Sequence, residues 1–203
     1  MVIPRWRRVL AVASPVWATV LGAAMAVQWE LGAGGTFASG PPGAHTVGLW
    51  MADTLPLMNG REPAWWWRGP FFLSIFAALP FAWSVTGRSG SRLARWCTRG
   101  GMLVAGAMVG LEYSTAGYGW PYDLVALLVA LGGTVAVGVS ALRRRDLPRA
   151  VAWSLIAVVP LTPAAGFLVF WYLPPGLTLG LLIGWALAAL VCSEGADGDV
   201  RGL

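Results

Sequence analysis

Lysine is absent from this 203-residue chain, histidine occurs once, cysteine occurs twice, and charged residues make up only 11% of it. Each shortage excludes something. Soluble domains carry about 25% charged residues, so a chain that is 11% charged and 57% hydrophobic lacks the polar surface to build one. One His (His45) and two widely separated Cys (Cys97, Cys192) form no metal or haem constellation, and no cofactor or redox chemistry is expected. Both thiols fall on the predicted cytoplasmic side, where they stay reduced, so no disulfide is expected either. All basic residues being Arg reads as the mark of a GC-rich coding sequence. A net charge of +5 would point a soluble protein toward nucleic acid. Here the arginines cluster at the ends of apolar runs, where membrane orientation accounts for them, and no nucleic-acid partner is expected.

Long apolar runs are what the chain has in abundance. Six of them approach the ~20 residues needed to cross a hydrocarbon core about 30 Å thick. They cover residues 9–30, 69–86, 101–116, 121–142, 150–173 and 177–191, with a short cytoplasmic tail at 192–203. The expected fold is all-α: one polytopic transmembrane domain over residues 1–203, built as three helical hairpins in the lipid bilayer of the cell membrane. In the long first loop, Val47, Trp50, Met51, Leu55 and Met58 recur at helical spacing, which predicts a short helix lying on the membrane surface. Trp65, Trp66 and Trp67 then mark an interface. Pro160, Pro163 and Gly166 predict a kink in the fifth helix, and Pro174-Pro175-Gly176 a tight turn before the sixth. The first run has a second reading. A basic start, an apolar segment and Ala24-Met25-Ala26 match a cleaved signal peptide, although ~20 apolar residues exceed the usual ~7–15.

Arginine placement orients the six helices. Arg5, Arg7, Arg8, Arg88, Arg92, Arg95, Arg99, Arg143, Arg144, Arg145, Arg149 and Arg201 share one side, and only Arg61 and Arg68 lie on the other. The positive-inside rule therefore predicts both termini in the cytoplasm. With carboxylates counted, the inner side balances at +8 and the outer half at −3.

The outer half holds the candidate chemistry. Residues 111–123 sit between two apolar runs yet contain Glu112, Tyr113, Tyr118, Trp120, Tyr122 and Asp123. Glu112 follows Arg99 by thirteen positions, ~20 Å along a helix, which places it inside the hydrocarbon. An ionisable group at that depth costs several kcal/mol unless it faces a cavity or a partner. With Trp29, Glu30 and Tyr172 it would line an acidic, aromatic pocket suited to a small cationic or aromatic ligand, through ion pairing and cation–π contact. Plainer readings stand beside this one. Asp123 opens a helix, where the dipole favours a carboxylate; Glu112 can pair structurally with Arg68; the aromatics can form an interfacial belt.

Two functions fit these ingredients. Ser14, Ala18, Gly22 and Ala26 make a small-xxx-small ridge on the first helix. In plan the chain resembles the substrate-binding components of energy-coupling-factor importers. That resemblance implies six helices, both ends inside, a long loop over an outward pocket, and helix 1 facing a transport partner. The function expected on this reading is a membrane-embedded binding or transport component for a small molecule. The alternative is a cofactor-free membrane enzyme acting on a lipid, as in small integral-membrane terpene cyclases or isomerases. There Glu112 or Glu30 would be the catalytic acid, and the Trp29-Glu30 pair is similar to one in that group. Ala18, Gly22, Gly106, Gly110, Gly180 and Gly184 offer faces for a membrane partner or a second copy. Gly87-Arg88-Ser89-Gly90 matches a rhomboid-protease GxSG but lies in a cytoplasmic loop with no His downstream, and carries no chemistry.

Overall fold

Runs of Leu, Val, Ala and Trp with few internal breakers become helical rods in the computed structural model. It describes the backbone of residues 3–32, 65–114, 120–166 and 173–197, and the side chains of 3–22, 69–108, 121–166 and 176–192. Among these, every element is a helix and none is a strand: α1 (Arg5–Gly32), α2 (Trp65–Leu73), α3 (Ile75–Thr86), α4 (Arg92–Ser114), α5 (Trp120–Arg144), α6 (Arg149–Ile156), α7 (Val158–Ala165) and α8 (Leu173–Asp197). Only Ser74 separates α2 from α3 and only Ala157 separates α6 from α7, so the eight elements form six rods. Two stretches, Gly69–Thr86 and Pro121–Arg144, are long and apolar enough to cross a membrane. The expected surface helix at Val47, Trp50, Met51, Leu55 and Met58 lies outside the described residues.

The rods differ from the sequence reading at identifiable places. Residues 92–100 are not loop but the opening turns of α4. The Ser91 hydroxyl accepts the Ala94 amide at 3.1 Å as an N-cap, and Arg is a good helix former. The second rod breaks at Ser74, whose amide is shared between Pro70 O (3.1 Å) and Phe71 O (3.2 Å). The fifth rod breaks at Ala157, one turn before Pro160, because the proline ring excludes the carbonyl four residues back. Pro174 and Pro175, read as a turn, lie in the first turn of α8, where a missing amide costs no helical bond. The segment read as a tail is helical as far as Asp197.

Prolines inside rods are compensated locally. Pro15 leaves Ala11 O without its usual amide donor, and the Ser14 hydroxyl donates to that oxygen at 2.8 Å. Such substitutions keep backbone groups satisfied where water is scarce.

Helix α8 occupies the middle. It packs on α1, α3, α5, α6 and α7, and Leu177, Leu179, Leu181, Leu182, Trp185 and Ala188 are all buried. A helix apolar all round belongs inside. The remaining rods close around it in chain order, α1 on α2–α3, α3 on α4, α4 on α5, α5 on α6. Glycines set the closest approaches. A Cβ on Gly133 would lie 2.5 Å from the Thr98 amide, and one on Gly101 2.6 Å from that of Ala130, so α4 and α5 cross backbone to backbone. Gly106 lies under the Phe76 ring of α3, Gly180 meets Thr162, and Gly184 meets Val158. Those three face helices of the same chain. Ala18 and Gly22 are likewise buried; the side-chain environment of Gly110 lies outside the described residues.

The outward faces are apolar as well. Val16, Trp17 and Val20 on α1, Val125, Leu128 and Val129 on α5, and Leu187 and Leu190 on α8 are all exposed.

Candidate functional site

Antiparallel packing sorts the charges. Arg7 Nη1 donates to Ser84 Oγ at 2.6 Å, which sets the start of α1 beside the end of α3. Ser89 Oγ donates to Asp146 Oδ1 at 2.7 Å, joining the α3–α4 and α5–α6 turns. All eleven arginines whose side chains are described therefore gather at one end of the bundle. The C-terminal ends of α1 and α4 and the N-terminal ends of α5 and α8 lie at the other.

That second end carries the residues singled out from sequence. Asp123 sits in the first turn of α5 and is buried, with 3% of its surface exposed. Trp29 and Glu30 belong to the last turns of α1, Glu112 and Tyr113 to the last turns of α4, and Trp120 opens α5. The side chains of these five lie outside the described residues, as do Tyr118 and Tyr172 entirely. The topology thus brings the helix ends bearing Glu30, Glu112 and Asp123 to one end of the molecule. Among the described residues no three His, Cys, Asp or Glu side chains gather to hold a metal, and Cys97 and Cys192 are both free.

At the arginine end the side chains make specific contacts. Arg99, two turns into α4, reaches back across the turn to α3. Its Nε donates to Thr86 Oγ1 at 2.8 Å and its Nη2 to Trp83 O at 3.0 Å. Thr86 Oγ1 in turn donates to Ala82 O at 2.8 Å. The guanidinium so held lies over the Trp83 ring, 4.4 Å from its centroid. Burial and then the neighbouring Arg95 lower the Arg99 pKa from its ordinary value, yet a guanidinium remains a cation at neutral pH.

Arg92, Arg95, Trp96 and Arg99 recur at i, i+3, i+4 and i+7, one face of a helix. With Trp83 they line a cleft of about 250 Å³. Sequence reading used these arginines only for orientation. The helical spacing was the available signal, whereas the partnership with Trp83 depends on how the turn between α3 and α4 folds. A scan of family models, a search of curated proteins and a search of solved structures return no match for this chain.

Proposed function

We propose that this chain is a six-pass protein of the cell membrane, with both termini in the cytoplasm, that binds a small cationic or aromatic molecule at its outward, carboxylate-bearing end. The observation that carries the reading is the polarity of the bundle: the described arginines at one end, and Asp123 buried at the opposite end. The membrane part is supported by exposed Val, Leu and Trp on the outward faces of several rods, a surface that soluble monomers avoid. It is supported also by the two stretches of spanning length. The ligand part is supported by three helix ends that bring Glu30, Glu112 and Asp123 to the same side of the molecule. At the α5 N-terminus the helix dipole favours a carboxylate, the state that attracts a cation. Transport would follow from binding only with a partner or an ion gradient as the source of energy.

A thermal-shift titration of the purified protein with small quaternary ammonium and aromatic amine probes tests the binding claim. A ligand at 100 times its Kd stabilises by about 2.7 kcal/mol, which reads as a rise of several degrees in Tm. Glu112→Gln and Asp123→Asn should abolish the rise. A rise that survives in both variants, or none in the wild type with any cation, contradicts the proposal.

A further inference from the structure

The arginines gathered at one end are not equivalent. Arg143 and Arg144 are exposed at the end of α5, as Arg92 is at the start of α4, but Arg92, Arg95 and Arg99 converge with Trp83 and Trp96 on one cleft of about 250 Å³. Three guanidinium groups over two turns of helix repel one another, and a carboxylate would be the ordinary remedy. None lines the cleft. The described carboxylate at this end, Asp146, accepts a hydrogen bond from Ser89 Oγ at 2.7 Å and stands elsewhere.

Arg99 is fixed on Thr86 and Trp83. The side chains of Arg92 and Arg95 make no hydrogen bond or ion pair among the described residues. The site therefore has one anchored cation, two uncommitted ones, and indole rings on both helices. The N-terminus of α4 adds the positive end of its dipole. Guanidinium forks match phosphate oxygens bidentately, and Trp lies well at the boundary between acyl chain and headgroup.

We propose that the cleft between the end of α3 and the start of α4 is a binding site for a phosphate-bearing anion, held by Arg92, Arg95 and Arg99 and flanked by Trp83 and Trp96. Two sources share that chemistry, an anionic lipid headgroup and free phosphate. The lipid source rests on the membrane reading; the site itself does not depend on what the acidic end binds.

The test uses the full chain, stripped of lipid in detergent and followed by native mass spectrometry. The probes are dioleoyl phosphatidylglycerol, dioleoyl phosphatidylcholine and inorganic phosphate. The wild type should prefer phosphatidylglycerol to phosphatidylcholine, and Arg92→Gln/Arg95→Gln should weaken that binding roughly 30-fold, as expected for the loss of two surface arginines. Arg143→Gln/Arg144→Gln, which removes the same charge at the same end, should leave it unchanged. Arg92→Gln alone should give an intermediate loss, and unchanged melting of each variant confirms that it folds. Displacement of the lipid by millimolar phosphate assigns the site to free phosphate, and lack of displacement assigns it to the headgroup. Equal losses in the two double variants would overturn the proposal, leaving only a diffuse basic surface. So would a wild type that neither prefers the anionic lipid nor responds to phosphate. Membrane residence is read separately, by cysteine accessibility in cells, so failure here is distinct from failure of the membrane reading.

Discussion

The Arg99 guanidinium lies 4.4 Å from the centroid of the Trp83 ring while its Nη2 donates to the Trp83 carbonyl at 3.0 Å. One residue of α4 thus holds both the face and the backbone of the last turn of α3. A Lys at position 99 keeps the charge but loses the planar fork.

Arg99→Met, which removes the cation as well as the fork, should lower stability by about 1–2 kcal/mol, since a cation–π contact at a partly exposed site is worth ~0.5–1 kcal/mol and the hydrogen bonds add to it. Trp83→Leu removes the ring but leaves the carbonyl acceptor, and should cost less. The double variant should cost less than the two single changes added together, because both remove one interaction. Additive losses in thermal melting would show that the two residues act separately.

Neighbouring glycines on α5 offer an internal comparison. Nothing lies within 4 Å of a Cβ built on Gly132, whereas one on Gly133 would lie 2.5 Å from the Thr98 amide and 2.8 Å from Cys97 Cβ. Gly132→Val should leave yield and melting near the wild type. Gly133→Val should push α4 from α5 and give little folded protein. Equal yields of the two would mean that these helices do not cross where the structure has them.

Trp185 is fully buried on α8, edge-on to Phe81 with ring centroids 6.3 Å apart, and its Nε1 meets no acceptor among the described residues. Replacing it by Phe removes an unsatisfied donor along with some packing volume, so Trp185→Phe should cost less than ~1.5 kcal/mol. Trp185→Ala leaves a cavity and should cost ~3–5 kcal/mol. Denaturant or thermal unfolding that ranks the two alike would deny the indole its place in the core.

The residue that follows α5, Arg145, is the one non-glycine among the described residues with positive φ, at 57°; its amide donates to Ala141 O at 2.8 Å. A side chain in this left-handed conformation costs ~1–2 kcal/mol, partly offset by the freedom that a glycine would lose on folding. Arg145→Gly should raise stability by up to about 1 kcal/mol, and a fall in Tm would contradict the assigned backbone.

Much of the fold was legible because apolar runs separated by arginines and prolines leave few alternatives to helical rods. The central position of α8 was legible in principle too, since residues 177–191 carry no charge and no consistent polar face. What eluded sequence reading was local. Arg92–Arg99 looked like a loop by charge, although their spacing was helical. The breaks at Ser74 and Ala157 sit a few residues from the prolines nearest them, not at those prolines. The pairing of Arg99 with Trp83 needs a tertiary turn that no periodicity reveals. At the acidic end, composition identified Asp123, which proves buried, while the side chains of Glu30 and Glu112 lie outside the described residues.

The central claim, a six-pass bundle with its arginine end in the cytoplasm, is tested most directly by cysteine accessibility in intact cells. Cys97 and Cys192, both partly exposed, are first replaced by Ser. Single cysteines are then introduced at Ala44 and Gly119 on one side and at Arg88 and Ser91 on the other; Gly176 is unsuitable because a side chain there would meet Gly166. The account predicts labelling by an impermeant maleimide at Ala44 and Gly119 in whole cells, and at Arg88 and Ser91 only after the membrane is opened. Labelling of Ser91 but not Gly119 in whole cells would invert the orientation, and equal behaviour of all four, labelled in whole cells or only after opening, would contradict the six-pass topology.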